Sequence, residues 1–253
     1  MTLLDRFRLN DRVAVVTGAS SGLGVAFAVG LAECGADVVL AARRVEKLEE
    51  TRTAVEARGR RALVVGADVA LPDDCTAVAA AAIEQFGRLD ILVNNAGVGT
   101  AVPATRETVE QFRSVIDVNL NGAYWMAQAC ARVMSHGGSI VNISSVLGLV
   151  SAGLPQAAYS ASKAGLLGLT RDLAQQWTAR KGIRVNALAP GFFESEMTAQ
   201  YPQEYRDASL RGILAGRFGD PEELTAALVF LVSDAGGYVT GQTLVVDGGI
   251  TIT

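Results

Sequence analysis

Cysteine and histidine are scarce in this sequence and there is no excess of positive charge, which argues against a metal site and against nucleic-acid binding. The 253 residues include three cysteines and a single histidine. Cys34, Cys75 and Cys130 lie in apolar helical contexts without metal-site spacing, so we expect buried free thiols in a reducing compartment and no metal. The formal net charge is −4 and the pI is about 5.2, which argues against nucleic acid as a main partner.

Long apolar runs are also missing. No run reaches the roughly 18 residues that a membrane span needs, and charged residues come too early for a signal peptide. We therefore expect a cytoplasmic protein with no membrane partner. Half of the residues are hydrophobic, which over this length is enough to bury a sizeable core in one domain.

What the sequence does contain is a regular alternation of strand and helix patterns. Strands are predicted at residues 13–16, 37–42, 61–66, 89–93, 139–143, 183–188 and 243–246. Helices are predicted at residues 25–34, 45–58, 72–86, 106–134, 157–180 and 221–232. This alternation predicts an α/β fold, a doubly wound parallel sheet of the Rossmann-like type, as a single domain over residues 1–253. Ligands of such a sheet lie beyond the carboxyl ends of its strands.

The alternation is interrupted at about residues 190–219. This stretch is aromatic but aperiodic, and Phe192 and Phe193 lie near its start. An insertion of this kind at the binding edge predicts a lid over the substrate. An ordinary surface connection is the alternative.

A glycine-rich turn, TGASSGLG at residues 17–24, joins the first strand to the first helix. Gly18 would permit the sharp turn, Gly22 would let a pyrophosphate approach the backbone, and Gly24 would allow close helix–strand packing. The helix N-terminus would offer its unpaired N–H groups to the phosphates. The spacing differs from G-x-G-x-x-G, so a turn that holds no ligand would also explain it.

The same turn contains the G-x-S-x-G pattern of a hydrolase nucleophile elbow. A hydrolase needs a histidine farther along the chain as its base. The sole histidine, His136, lies where a helix should end, which is typical of a solvated residue. The hydrolase is therefore the weaker interpretation.

Tyr159 and Lys163 stand four residues apart on a predicted helix, so they share one of its faces. A nearby cation favours the phenolate and brings the phenol pKa from about 10 towards neutrality, where proton transfer is efficient. An exposed helix face often has the same spacing, so the pair needs support from other motifs.

That support comes from motifs that occur in order along the chain. They are Thr17 to Gly24, Asp68-Val69, Asn94-Asn95-Ala96-Gly97, Asn119, Ser144-Ser145, Tyr159-x-x-x-Lys163 and Pro190-Gly191. Together they resemble the short-chain dehydrogenase/reductase family from about residue 9 to residue 249. The resemblance implies an NAD(P)-dependent oxidoreductase that interconverts a ketone and a secondary alcohol by hydride transfer.

The resemblance also implies roles for catalytic residues. Tyr159 would protonate the carbonyl oxygen and act as base in the reverse reaction, and Lys163 would lower the tyrosine pKa and hold the nicotinamide ribose. Ser145, preferred over Ser144, would hydrogen-bond the substrate oxygen. Asn119 would support a water-linked proton path. The spacing from Ser145 to Tyr159 is one residue longer than in many relatives.

The residues expected to bind the cofactor gather at the strand ends. They are Gly18, Ser20, Ser21, Gly22, Leu23, Gly24, Arg43, Arg44, Asp68, Val69, Asn95, Ala96, Gly97, Tyr159, Lys163, Pro190, Gly191 and Ser195. Ala42 stands where NAD-preferring relatives tend to have an acid, and Arg43 and Arg44 follow it. Because an arginine can clamp a 2′-phosphate, we predict NADP(H), with NAD as the alternative. Ser20 and Ser21 occupy the turn where many NADP-preferring relatives have a basic residue.

The residues expected to face the substrate are mostly apolar. They are Ser145, Leu147, Leu154, Phe192, Phe193 and Met197. They favour an apolar ketone or secondary alcohol as the small-molecule substrate. Alternatives within the family are an NAD-dependent alcohol or sugar dehydrogenase and a 3-oxoacyl carrier-protein reductase. A carrier-protein reductase needs basic residues near the entrance to its site, and the helix end around His136 has few of them. A catalytically silent dinucleotide-binding protein is the alternative from another class.

The two long predicted helices, 106–134 and 157–180, carry apolar residues around much of their circumference, which predicts burial on more than one side. Gly165 and Gly168 would let a partner helix approach closely. The resemblance implies a four-helix contact between these helices of two subunits and a further contact through residues 241–253. We therefore predict a homotetramer, with a monomer as the alternative.

Overall fold

The computed structural model describes residues 2–135, 137–151, 153–194 and 203–253. The strands of this part are β1 (Val13–Thr17), β2 (Asp37–Ala42), β3 (Ala62–Gly66), β4 (Ile91–Asn94), β5 (Gly138–Ile143), β6 (Ile183–Pro190) and β7 (Thr243–Val246). The helices are α1 (Gly22–Glu33), α2 (Val45–Glu56), α3 (Pro72–Phe86), α4 (Val109–Ile116), α5 (Gly122–Val133), α6 (Ala157–Lys181), α7 (Gln203–Gly212) and α8 (Pro221–Val232).

The strands form one parallel sheet in the order β3-β2-β1-β4-β5-β6-β7. This confirms the predicted doubly wound α/β fold. The strand order reverses at β1, which lies between β2 and β4. Thr17 pairs with Ala41, and Asn94 pairs with Asn142, so the carboxyl ends of neighbouring strands meet at one edge. The glycine turn and the loops after β2, β4, β5 and β6 all leave the sheet along that edge.

Both faces of the sheet are covered, which explains why β1 is a continuous apolar run. Val15 is fully buried in a cluster on one face with Met126 of α5. The next residue, Val16, is fully buried in a cluster on the other face with Phe27 of α1. Since successive strand residues point to opposite faces, every position of such a strand must be apolar.

The helix predicted over residues 106–134 differs from the observed structure. It begins only at Val109, where Thr108 and Gln111 form a capping box that fixes the start. A π-helical turn, Asp117–Asn121, then separates α4 from α5. Hydrophobic periodicity cannot reveal one wider turn inside a helix, and such turns are frequent at functional sites. The π turn carries Asn119, which is 1% exposed.

The small residues of α6 have two different surroundings. A side chain at Gly165 would collide with Leu120 of the same chain, so this glycine serves packing within the subunit. The Cβ position of Gly168 faces open space. Val109 and Phe112 on α4 are exposed apolar residues.

In the part of the chain that the structure describes, no helix combines the length and apolarity needed to cross a membrane.

The three cysteines are free. Cys75 and Cys130 are buried as expected, whereas Cys34 is half-buried. Desolvation raises the pKa of the Cys75 thiol to about 12, and burial also raises the pKa of the Cys130 thiol. Such thiols stay protonated at neutral pH and are unreactive.

Candidate active site

The glycine turn after β1 is too tightly packed for side chains. Gly18 has φ of +67°, in the left-handed region, and its N–H donates to the Ala41 carbonyl at 2.8 Å. A Cβ on Gly18 would lie 2.8 Å from Cα of Ala96, and one on Gly24 would overlap the Gly18 carbonyl oxygen. The turn therefore presents bare backbone at the start of α1, which fits a pyrophosphate group.

Thr17 and Asn95 lock this turn to the loop that follows β4. The Thr17 hydroxyl oxygen accepts from the N–H groups of Asn95 and Ala96, each at 3.0 Å. The Asn95 side-chain amide donates back to the Thr17 carbonyl at 2.9 Å. These bonds hold the loop 95–97 beside the glycine turn, at the carboxyl edge of the sheet. Sequence reasoning did not assign a role to the Thr17 side chain.

Two arginines follow the end of β2, and one of them, Arg44, contacts the glycine turn. Arg44 donates to the Ser21 hydroxyl at 2.8 Å and to the Ser20 hydroxyl at 3.3 Å. The Arg43 side chain is 66% exposed, and its guanidinium lies 4.0 Å from the Asp68 carboxylate. The turn has no basic residue of its own, but Arg44 brings a cation to it from the end of β2.

Asp68 and Val69 shape the loop after β3. One carboxylate oxygen of Asp68 accepts from the Ala70 N–H at 3.0 Å. Val69 is buried against Gly122 at the start of α5, where a Cβ would lie only 2.8 Å from its side chain. Asp68 is thereby held at the edge of the sheet, close to Arg43.

Lys163 of α6 is buried at the end of β5 and is 4% exposed. Its ammonium donates to the Ile143 carbonyl at 2.7 Å, and its own carbonyl accepts from the Ser144 hydroxyl at 2.8 Å. Burial lowers the pKa of Lys163 to about 8. These bonds fix the position of the lysine between the helix and the strand end.

Tyr159 lies one turn before this lysine on α6, and Ser145 follows β5, the strand whose last carbonyl accepts from the lysine. The Lys163 ammonium is 5.5 Å from the centre of the Tyr159 ring. The Ser145 hydroxyl oxygen accepts from the Leu147 N–H at 3.1 Å, which uses a lone pair and leaves its proton to be donated. The Ser144 hydroxyl is instead committed to α6, which supports the preference for Ser145 as the substrate contact.

Asn119 links the π turn to the loop after β4 and to α6, the helix that contains Tyr159. Its amide donates to the Val98 carbonyl at 2.9 Å and to the Ser162 hydroxyl at 3.0 Å, and its oxygen accepts from the Val98 N–H at 2.8 Å. Ser162 donates in turn to the Tyr159 carbonyl at 2.7 Å. Sequence reasoning missed Ser162, although a serine three residues after a helical tyrosine can bond back to its carbonyl.

The apolar residues predicted to face the substrate do not share one environment. Leu147 and Leu154 are half-buried. Phe192 is half-buried and stacks on Phe218 with ring centres 5.8 Å apart. Phe193 is 4% exposed and belongs to the core cluster on the α1 face.

The remaining predicted residues follow β6. Pro190 ends this strand, and the Gly191 N–H donates to the Val246 carbonyl at 2.9 Å, which fixes the chain at the edge of the sheet. Ser195 and Met197 lie outside the described residues, as does His136.

Comparisons with known proteins identify the family. A family model described as Enoyl-(Acyl carrier protein) reductase matches residues 18–251. The chain is 40% identical over 252 residues to 2-dehydro-3-deoxy-D-gluconate 5-dehydrogenase of Escherichia coli (strain K12), covering 98% of each protein. It is 39% identical over 248 residues to a 3-oxoacyl-(acyl-carrier-protein) reductase of Thermotoga maritima, covering 97% of this chain and 100% of the relative. The chain therefore belongs to the short-chain dehydrogenase/reductase family of oxidoreductases.

The solved structures agree with this assignment. A short-chain dehydrogenase from Burkholderia cenocepacia J2315 in complex with NADP superposes with a TM-score of 0.92 at 34% identity, covering 96% of this chain and 99% of that one. Family members use NAD(P), so the expectation of a nicotinamide dinucleotide cofactor is confirmed.

Proposed function

We propose that this protein is an NADP(H)-dependent oxidoreductase that interconverts a ketone and a secondary alcohol. The observation that carries the proposal is the buried Lys163, pinned to the Ile143 carbonyl and 5.5 Å from the centre of the Tyr159 ring, with Ser145 at the same strand end. When bound, the nicotinamide supplies the hydride for the carbonyl carbon. The protein supplies position and protons.

Each residue of the proposed site has its own role in the transfer of the proton. Tyr159 donates its phenolic proton to the carbonyl oxygen, and the Ser145 hydroxyl donates a hydrogen bond to the same oxygen. The positive charge of protonated Lys163 favours the phenolate that remains, and the same ammonium would hold a ribose hydroxyl of the bound cofactor. Asn119 supports the water-linked path that returns the proton, and its bonds to Val98 and Ser162 keep that region in place.

The NADP preference is supported by charge at the outer side of the glycine turn. Arg44, bonded to Ser20 and Ser21, and the more exposed Arg43 would surround a 2′-phosphate with two guanidinium groups. The end of β2 offers no carboxylate to bind a ribose 2′-hydroxyl, because Ala42 stands there. We further propose that residues 190–219 cover the substrate and that four copies form a homotetramer.

Two substrate classes are supported by the relatives. One relative is named for a sugar acid, 2-dehydro-3-deoxy-D-gluconate, and another for a 3-oxoacyl group on a carrier protein. The first name is that of a dehydrogenase and the second that of a reductase of an oxo group, which are the two directions of the proposed chemistry. Leu147, Leu154 and Phe192 are half-buried, and the apolar surface that we propose they offer to the substrate would suit an uncharged ketone.

The proposal is tested with purified protein by following NADPH and NADH oxidation across a panel of ketones. The Tyr159→Phe variant should lose nearly all turnover while its NADPH affinity, measured by fluorescence titration, stays close to that of the wild type. Near-normal turnover by Tyr159→Phe would contradict the acid–base role. Tight NADPH binding without turnover of any ketone by the wild type would favour a catalytically silent dinucleotide-binding protein.

A further inference from the structure

Ser162 lies on α6 between the two residues that we propose for proton transfer, three positions after Tyr159 and one before Lys163. It is fully buried. Its hydroxyl donates to the Tyr159 carbonyl at 2.7 Å and accepts from the side-chain amide of Asn119 at 3.0 Å. One oxygen atom therefore joins the π turn to the helical turn that contains Tyr159.

The direction of each hydrogen bond in this bridge is fixed by its partners. The Val98 N–H donates to Oδ1 of Asn119 at 2.8 Å, and the Val98 carbonyl accepts from Nδ2 at 2.9 Å. A backbone N–H can only donate and a carbonyl can only accept, so the amide has a single orientation. Both N–H groups and the oxygen of Asn119 are thus used, and the Ser162 proton must point to the Tyr159 carbonyl.

The Asn119 amide has little access to water, because the residue is 1% exposed. Without the serine hydroxyl, one buried N–H would lose its partner, which is costly unless the side chain turns. A Cβ built on Gly97 would lie 3.4 Å from Oδ1 of Asn119 and 3.5 Å from Nζ of Lys163, so both groups approach the same backbone position. A turn of the Asn119 side chain therefore changes the surroundings of the lysine.

The contact between the π turn and α6 does not depend on the serine hydroxyl. A Cβ built on Gly165 would lie 2.9 Å from a terminal methyl of Leu120, so these two residues pack closely one turn farther along α6. This apolar contact remains in a Ser162→Ala variant, which loses one oxygen atom and gains a strong helix former. We therefore expect the variant to fold, with only the geometry of the bridge changed.

We propose that Ser162 is a positioning residue, whose hydroxyl holds Asn119 where proton transfer through Tyr159 and Lys163 requires it. This inference rests on the proposed function and adds to it a residue that acts through Asn119. The Thr17 hydroxyl holds the loop 95–97 by separate hydrogen bonds. Loss of the Ser162 hydroxyl should therefore slow the reaction without weakening the binding of the cofactor.

The kinetic test follows ketone reduction with NADPH. In Ser162→Ala, kcat should fall about tenfold, as expected for one lost hydrogen bond, while the KM for the ketone and the Kd for NADPH stay within about twofold of the wild type. A loosened fold would weaken both. Ser162→Thr keeps a hydroxyl that can bond to the carbonyl three residues earlier, so it should restore kcat. Ser160→Ala, the same change on the same helix, is the matched control and should keep the wild-type kcat.

A second measurement needs no turnover. Hydrogen–deuterium exchange of the cofactor-free protein, followed by mass spectrometry, detects the Val98 N–H that donates to Asn119. Exchange in the segment 96–99 should be about tenfold faster in Ser162→Ala and unchanged in Ser160→Ala.

Unchanged exchange or unchanged kcat in Ser162→Ala would overturn the inference. So would a folded Ser162→Thr protein whose kcat is as low as that of Ser162→Ala, because the hydroxyl would then not be the cause. If the wild type reduces no ketone, the proposed function fails, and the exchange measurement still decides whether Ser162 holds Asn119.

Discussion

The burial of Lys163 should make the stability of the cofactor-free protein depend on pH in a defined way. Burial lowers the lysine pKa from 10.5 to about 8. Between these values the unfolded chain binds a proton that the folded chain does not, so the free energy of unfolding rises with pH. Below pH 8 the folded protein carries a buried charge, and the full destabilisation is present.

The size of this effect follows from the two pKa values. A difference of one pKa unit between the folded and unfolded states corresponds to about 1.36 kcal/mol of unfolding free energy. Lowering the pKa from 10.5 to about 8 therefore costs about 3 kcal/mol of stability. Replacing Lys163 with methionine removes the titrating group. The protein that keeps Lys163 should therefore gain about 3 kcal/mol of unfolding free energy relative to Lys163→Met as the pH rises from about 7 to about 10.5.

Urea unfolding at a series of pH values and at constant protein concentration measures this difference. Both proteins should carry Tyr159→Phe, so that titration of the neighbouring phenol does not contribute. The other titrating groups are the same in both proteins and cancel in the difference. A difference that stays constant over this pH range would show that the fold does not lower the lysine pKa, and the reasoning from burial would be wrong.

Two further predictions concern the cofactor and the assembly. Arg43→Ala and Arg44→Ala should each weaken NADPH binding by roughly 1.5–3 kcal/mol, the value of a charge-assisted hydrogen bond, and weaken NADH binding much less. Parallel titrations decide this, and equal losses for both cofactors would mean that neither arginine binds the 2′-phosphate. Light scattering at micromolar concentration should give a mass near four chains, because Val109 and Phe112 on α4 are exposed and Gly168 on α6 faces open space. A mass near one 26.4 kDa chain would refute the tetramer.

Much of the fold could be predicted because the relevant signals are local. The apolar run at β1 is needed for a strand buried on both faces, and the glycine turn after it is needed where Gly18 adopts a positive φ and Gly24 packs on its carbonyl. The spacing of Tyr159 and Lys163 places both on one side of a helix. The order of these motifs was enough to indicate the family.

The tertiary structure decided what depends on contacts between residues far apart in the chain. It brought Arg44 to Ser21 across the glycine turn, and it committed Ser144 to α6 while leaving the Ser145 proton to be donated. It also buried Lys163 at the end of β5, which sets its pKa.

The sequence by itself determined which side chains are present and how they are spaced within each element. It also determined the alternation of strand and helix patterns, which predicts a parallel sheet. Only the tertiary structure decided that Asn119 lies in a π turn and is bonded to Ser162. The physical reason is that periodicity reports which face of an element is apolar. Hydrogen bonding and desolvation depend instead on the atoms that packing brings together.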